Sequence, residues 1–258
     1  MEQEFEHRSA IVTGGGNGIG RAIALDLADA GAAVHVVSRS QSAANVAEEI
    51  VRRGGRAHAY VGSVADQGFC RGVVEAAARL GGPDLLVNAA GVLGPGGPFT
   101  SISMSEFADT IAVNLLGSCN FMHAALPLME AKAFGRIVNF AGGGAAYSYP
   151  NFTPYGTSKA ALVRFTETLA DEILAEDVTV NIIAPGAVET AMLVEVRSRG
   201  GEVRTTVAIT EPVALVHFLC TEEARHISGR FIHVRDDYRR RDLYAQKEML
   251  KLRRIEVR

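Results

Sequence analysis

Short apolar runs recur along this chain with helical stretches between them. They are Ser9 to Val12, Ala33 to Val37, Ala57 to Val61, Leu85 to Asn88, Arg136 to Phe140, Val178 to Ala184 and Arg230 to Val234. A run that is apolar at every position belongs to a strand with neither face in water, which is what a parallel sheet covered by helices on both sides requires. The pattern predicts an α/β fold: a doubly wound parallel sheet of about seven strands. No fixed-period repeat, low-complexity tract or Pro/Ser-rich linker divides the chain, so a single domain spanning 1–258 is expected. The exception is the segment from Asp236 onward, dense in Arg, Asp, Lys and Glu.

The first strand-to-helix junction reads "TGGGNGIG", Thr13 to Gly20, and leads into Arg21-Ala22-Ile23-Ala24-Leu25. With Gly14, Gly18 and Gly20 as the spaced set, this turn can adopt positive φ and bring its backbone against a ligand with no Cβ in the way. Thr13, Gly16, Asn17 and Ile19 complete the turn. The helix behind it offers free N–H groups and the positive end of its dipole, which suits a pyrophosphate. The second strand ends at Ser38-Arg39, the distance at which a dinucleotide fold reads the ribose. Selectivity for NAD calls there for Asp or Glu on the 2′-hydroxyl. The sequence "VVSRS" instead offers the Ser38 hydroxyl and the Arg39 guanidinium fork, which suit a 2′-phosphate, and no acid. NADP(H) is the expected cofactor.

Composition narrows the function classes. With 258 residues, 48% of them hydrophobic and 21% charged, the chain can bury a sizeable core. A formal net charge of −3 leaves no basic excess for a nucleic acid and little attraction to an anionic membrane. Cys70, Cys119 and Cys220 are odd in number and form no C-x-x-C, against both a disulfide framework and a zinc site. A reducing cytoplasm and no metal are expected. Met1 to Arg8 is charged without an apolar leader core, and no uninterrupted apolar stretch looks long enough to cross a bilayer.

Further along come "NAAG" at Asn88 to Gly91, Asn114 in a helical stretch, "YGTSK" at Tyr155 to Lys159 and "PGAVET" at Pro185 to Thr190. Together with the glycine turn, in this order and spacing, the set resembles the short-chain dehydrogenase/reductase family over roughly residues 8 to 234, in particular its Rossmann-like single-domain members. Tyr155 and Lys159 are four apart, hence neighbours on one helix face, and Pro154 suits a helix start. An ammonium beside a phenol is expected to lower the phenol pKa toward working pH.

The resemblance implies a ketone or secondary alcohol as substrate. Tyr155 would exchange the proton with the substrate oxygen while hydride passes to or from C4 of the nicotinamide. It further implies that Lys159 holds the nicotinamide ribose and that Asn114 anchors a water chain to Lys159. Asn88, Ala90 and Gly91 would line the adenosine ribose. Val188 and Thr190, after Pro185-Gly186, would meet the carboxamide through a backbone N–H and a hydroxyl. A homodimer or homotetramer is expected.

Several positions depart from the family pattern. A Ser usually stands about thirteen residues before the Tyr and polarises the substrate carbonyl; here Gly142 stands there, and Ala141, Gly143 and Gly144 carry no hydroxyl either. Ser148, Thr153, Tyr147 or a nest of glycine N–H groups are the replacement donors, unless the run is a close-packing turn. The alternative function is a catalytically weak cofactor-binding subunit that partners an active homologue. In "GSVAD", Ser63 replaces an acid on the adenine amine and Val64 supplies backbone contact. The last strand lacks its usual D-G-G. The extension that follows, with Arg239, Arg240, Arg241, Arg253 and Arg254, either covers the site or a neighbouring subunit or is solvated. Met192 and Leu193 suggest an apolar substrate wall. Arg197, Arg199 and Arg204 meet a carboxylate, a phosphate, a carrier-bound acyl group or solvent.

Overall fold

The computed structural model describes residues 4–201, 203, 205–246 and 249–252; Arg204, Arg253 and Arg254 lie outside them. β1 (Ser9–Thr13) passes through the glycine turn into α1 (Gly18–Asp29), followed by β2 (Ala33–Ser38), α2 (Ser42–Arg52), β3 (Arg56–Val61), α3 (Gln67–Arg79) and β4 (Leu85–Asn88). Next come α4 (Met104–Ile111), a π turn (Ala112–Leu116), α5 (Gly117–Ala131), β5 (Gly135–Phe140), the single turn α6 (Gly143–Ala146), α7 (Thr153–Glu172) and β6 (Val178–Ala184). The chain continues through β7 (Ala187–Val188), α8 (Ala191–Ser198), β8 (Thr206–Val207), α9 (Thr210–Cys220), β9 (Phe231–His233) and α10 (Asp242–Ala245).

Seven strands form one parallel sheet in the order β3-β2-β1-β4-β5-β6-β9. These are the seven apolar runs, with ends shifted by a residue at most. Strand order reverses between β1 and β4, and the crevice outside their carboxyl ends is where an open α/β sheet binds ligands. Successive side chains along a strand face opposite sides. Val12, Val34, Val36, Leu85, Val87 and Ile183 therefore pack under α1, α2 and α9. Ile11, Val37, Leu86, Ile137, Val180 and Ile182 pack under α3, α5 and α7.

Two expectations need correction. The rule that neither strand face meets water fails for β3, where Arg56, His58, Ala59 and Val61 are exposed. As an edge strand it has one neighbour, and the polar alternation of Arg56 and His58 matches a half-covered position. Second, Met104–Ala131 is one helical run of 28 residues with a window of mean hydropathy 1.3, so by length and composition it meets the demands of a membrane span. Its inner face packs into the sheet through Phe121, Met122, Ala125 and Met129, as a core helix does.

The described part of the charged C-terminal segment keeps Arg239, Arg240 and Arg241 exposed while its backbone and apolar residues lie against the β9 edge. Phe231 N–H donates to Leu250 O at 2.6 Å, and the Arg230 guanidinium donates to Met249 O at 2.8 Å and Tyr244 O at 3.1 Å. Leu252 N–H donates to the Glu167 carboxylate. Tyr238, Tyr244 and Leu250 join one core layer and Leu252 the other. Apolar residues at wide spacing within a charged run leave no periodicity to read, while an uncovered edge strand strongly favours a partner.

At the far side of α1, the His217 ring lies between two carboxylates, Nδ1 2.7 Å from Asp26 Oδ2 and Nε2 3.0 Å from Glu4 Oε2. The Asp26 contact, reinforced by Glu4 and opposed by burial, raises its pKa from 6.5 to about 9. A folded-state pKa above the unfolded one stabilises in full below the unfolded value and is lost as pH rises through the folded value. Tm is expected to fall by about 2–4 °C more between pH 7 and pH 9.5 in the unmodified protein than in His217→Gln, as checked by calorimetry. Equal slopes would mean that the clamp stores no such linkage.

Candidate active site

Tyr155 and Lys159 lie on the first turns of α7, whose start carries Pro154 where a missing N–H costs nothing. Both are deeply buried, at 8% and 4% exposure. The Lys159 ammonium donates to Phe140 O at 2.7 Å and stands 5.9 Å from the centre of the Tyr155 ring. Asn114 projects from the π turn between α4 and α5. Its amide donates to Val92 O at 2.9 Å and Ser158 Oγ at 3.0 Å, and its Oδ1 accepts from Val92 N–H at 2.8 Å. Ser158 in turn donates to Tyr155 O at 2.7 Å. Asn114 thus ties the loop after β4 to α7. A Cβ on Gly91 would lie 3.3 Å from Asn114 Oδ1 and 3.6 Å from Lys159 Nζ, so this glycine lets the two groups converge. Neither the π turn nor Ser158 left a signal in the sequence.

The expected electrostatics are reversed. Burial, reinforced by Tyr149, pushes the Tyr155 phenol up to about 12, and burial pulls the Lys159 ammonium down to about 8. Desolvation disfavours each charged form, and the Lys159 ammonium donates to the Phe140 carbonyl, not to the phenol. In this arrangement the phenol holds its proton.

Gly142 sits at φ −170°, extended backbone open to any residue. A Cβ there would lie 2.3 Å from Tyr155 Oη and 3.0 Å from Cε1 and Cζ, so the phenol fills the space of the missing side chain. Gly144 is a close-packing glycine, since its Cβ would come 2.9 Å from Gly156 Cα on α7. Tyr147, Ser148 and Thr153 are exposed, and none has a described hydrogen bond to Tyr155.

In the glycine turn, Gly14 and Gly18 adopt φ +66° and +53°. A Cβ on Gly14 would lie 2.8 Å from Ala90 N, and one on Gly20 would lie 2.4 Å from Gly14 O. Thr13 Oγ1 accepts from Ala90 N–H at 3.1 Å, which fastens the turn to the end of β4. Asn17 caps α1 in position but not by its side chain, which donates to Ser42 Oγ at 3.3 Å. The first-turn amides, beginning at Gly18 and Ile19, are therefore left for an anion. Beside them, Ser42 Oγ lies 3.1 Å from Ser38 Oγ and 2.9 Å from Ser40 Oγ. Gly16 leaves room for this cluster, since its Cβ would fall 2.1 Å from Ser42 Oγ. Arg39 is exposed and has no described partner. Ser40 and Ser42 escaped the sequence reading, although "SRSQS" alternates hydroxyls along the turn. Amides, hydroxyls and a free guanidinium, with no carboxylate among them, fit the phosphates of a dinucleotide.

The remaining expected contacts are mixed. Ser63 Oγ accepts from Ala65 N–H, and the Val64 carbonyl already accepts from Asn120 at 3.0 Å and Cys70 at 3.1 Å. Asn88 is buried and donates to Asn139 at 2.9 Å, and Asn139 donates onward to Thr166, so this chain of amides staples β4 to β5 and α7. Pro185 leads into Gly186 at φ +69°, and Val188 is buried in the small β7-β8 ladder. The Thr190 hydroxyl accepts from Leu193 N–H at 3.4 Å and donates to Val188 O at 3.2 Å. Its donor and one lone pair are engaged in this way, which leaves its second lone pair as an acceptor.

Over Tyr155 lies a small apolar cluster of Leu93, Phe152 and Val196 with Tyr149, Met192 and Val203. Leu193 is buried outside it. Arg197 is paired with Glu189 at 2.9 and 2.7 Å, and Arg199 donates to Gly94 O at 2.6 Å and pairs with Glu195 at 2.5 Å. Two surface cavities, of about 530 and 280 Å³, lie away from this cluster and carry none of its residues. Among the described residues, no group of three His, Cys, Asp or Glu is placed to hold a metal ion.

Residues 8–200 match the sequence profile of the short chain dehydrogenases. The 3-oxoacyl-(acyl-carrier-protein) reductase FabG of Aquifex aeolicus is 33% identical over 244 residues, covering 91% of this chain and 98% of the relative. Among solved structures, a Beutenbergia cavernae protein designated a NAD(P) dependent gluconate 5-dehydrogenase, with NADP bound at low occupancy, superposes at TM-score 0.84. It is 32% identical, over 91% of this chain and 97% of that one. A xylitol dehydrogenase bound to NAD+ superposes at TM-score 0.83, 27% identical over 89% and 98% of the two chains.

Proposed function

The chain belongs to the short chain dehydrogenase family, and on that premise we propose that it interconverts a ketone and a secondary alcohol with NADP(H). The observation that carries this reading is the buried set of Tyr155, Lys159 and Asn114, with Lys159 and Asn114 converging on Gly91 and the Tyr155 hydroxyl over Gly142. A bound nicotinamide supplies or accepts the hydride. Tyr155 Oη holds the proton for the substrate oxygen, and burial keeps that proton in place until the oxygen gains charge. Lys159 holds positive charge beneath the phenol, which favours the phenolate once the proton has left. Asn114 fixes the loop after β4 against α7, so both groups stay in register.

Choice of cofactor rests on Arg39 and the Ser38, Ser40 and Ser42 hydroxyls, a site for a phosphate with no carboxylate to bind a ribose hydroxyl. NADPH is expected to bind more tightly than NADH. Arg39→Ala should weaken NADPH about 10- to 100-fold and leave NADH nearly unchanged, as one charge-assisted contact is lost. Fluorescence titration checks this, and equal affinities in the unmodified protein would sink it. Turnover of ketones and acyl thioesters with each cofactor tests the reaction itself.

A second copy of the chain is the proposed partner, with Phe99, Met104 and Leu116, exposed apolar residues on and before the α4–α5 run, as part of its seat. The thiols of Cys70 and Cys220, pushed by burial up to about 12, and of Cys119, to about 11, suit a reducing cytoplasm. A second reading, a catalytically weak subunit supporting an active homologue, draws on the phenol lying over Gly142.

A further inference from the structure

We infer that the substrate is a compact, uncharged, apolar ketone, recognised by shape and by the Tyr149–Phe152 face. This rests on the oxidoreductase reading above and names its substrate class. Three observations carry it. The side chains gathered on Tyr155 are apolar or aromatic: Leu93, Phe152 and Val196 buried, with Tyr149, Met192 and Val203 beside them. Tyr149 stacks on Phe152 with ring centres 4.7 Å apart and lies 6.5 Å from the Tyr155 ring, a flat wall beside the reacting hydroxyl.

Second, among the described residues, the two arginines at the end of α8 beside this wall are already paired. Arg197 is held by both oxygens of Glu189, and Arg199 by Glu195 and the Gly94 carbonyl. A substrate carboxylate or phosphate would compete with these carboxylates for the same guanidinium groups. Third, Gly142 contributes no hydroxyl, and the space it leaves is filled by the Tyr155 phenol. Among the described side chains of this cluster only Tyr155 and Tyr149 carry hydroxyls, so polyol hydroxyls entering it give up water for few partners. Arg199 closes this side of the cluster: it ties the end of α8 to the loop after β4, and a Cβ on Gly96 would lie 3.2 Å from its Cδ.

The experiment compares cyclohexanone, levulinate and dihydroxyacetone as substrates of the full chain with NADPH and with NADH. These match in size but differ in charge and hydroxyl content. The expected kcat/KM favours cyclohexanone by about 100-fold or more over either polar ketone, the rejection an apolar pocket gives an added hydroxyl. Equal or better turnover of levulinate or dihydroxyacetone overturns the substrate class and leaves the oxidoreductase standing. If none of the three turns over, saturation-transfer NMR of the same compounds decides. Contact with cyclohexanone alone keeps the class while the reaction assignment fails, and contact with a polar ketone, or with none, overturns the class. Tyr149→Ala should raise KM for cyclohexanone about tenfold with kcat held within about twofold, the signature of lost ground-state contact. A joint fall of kcat and Tm would show instead that Tyr149 merely supports α7.

Discussion

Tyr155→Phe is expected to lower turnover about 10²–10⁴-fold, the range by which a positioned proton donor accelerates a reaction, while NADPH affinity stays within about twofold. The substitution deletes one oxygen and keeps the ring, so the packing against Leu93, Phe152 and Val196 survives. It also orphans no other described group. Lys159 is satisfied by the Phe140 carbonyl and Asn114 by Val92 and Ser158, so neither depends on the phenol for its geometry. Stability should therefore hold, and the loss should appear in kcat and in kcat/KM alike, as for an interaction made in the transition state. Steady-state kinetics beside an NADPH titration decide the matter. Retained turnover would place the proton donor elsewhere.

Gly142 yields the second large effect, and its sign depends on which atom is added. Backbone strain is not the obstacle, because φ −170° suits any residue. The obstacle is Tyr155, whose Oη lies 2.3 Å from the Cβ position and must move aside. Gly142→Ala is expected to cost about 10²-fold in kcat, since a displacement near 1 Å at the reacting group costs on that order. Gly142→Ser forces the same displacement but adds a hydroxyl beside the substrate oxygen, a donor worth about 10²-fold or more. Serine should thus outperform alanine by that factor and return the rate to the unmodified level or above. Measuring both variants separates the methylene from the hydroxyl, and calorimetry shows whether each folds normally. Equal rates for Ala and Ser would mean that the hydroxyl does not reach the carbonyl, and that the reacting oxygen lies away from residue 142.

Much of the architecture was legible in the chain itself. Seven apolar-rich runs predicted seven parallel strands, because strands covered on both faces are mostly apolar along their length, with the half-covered edge strand β3 the exception, and that is a property of local sequence. The glycine turn was legible for the same reason: positive φ at Gly14 and Gly18 is a demand the backbone makes on residue type. The four-residue spacing of Tyr155 and Lys159 placed both on one helix face without any tertiary information.

Other features belong to tertiary structure because they arise between segments distant in sequence. The Tyr155 pKa is one: spacing to Lys159 suggested a fall, but burial by Leu93, Phe152 and Val196, from three separate segments, decides the rise to about 12. The carboxylates that pair Arg197 and Arg199 are local, Glu189 and Glu195, whereas the Arg199 bond to the Gly94 carbonyl depends on how α8 meets the loop after β4. The sequence leaves the place of the charged C-terminal segment open because its few apolar residues are widely spaced; in the structure Phe231 N–H on the β9 edge donates to Leu250 O. Sequence determines what each segment is able to form by itself. Desolvation, long-range hydrogen bonding and edge closure are settled when the sheet assembles, since each is a free energy of the environment that other parts of the chain create.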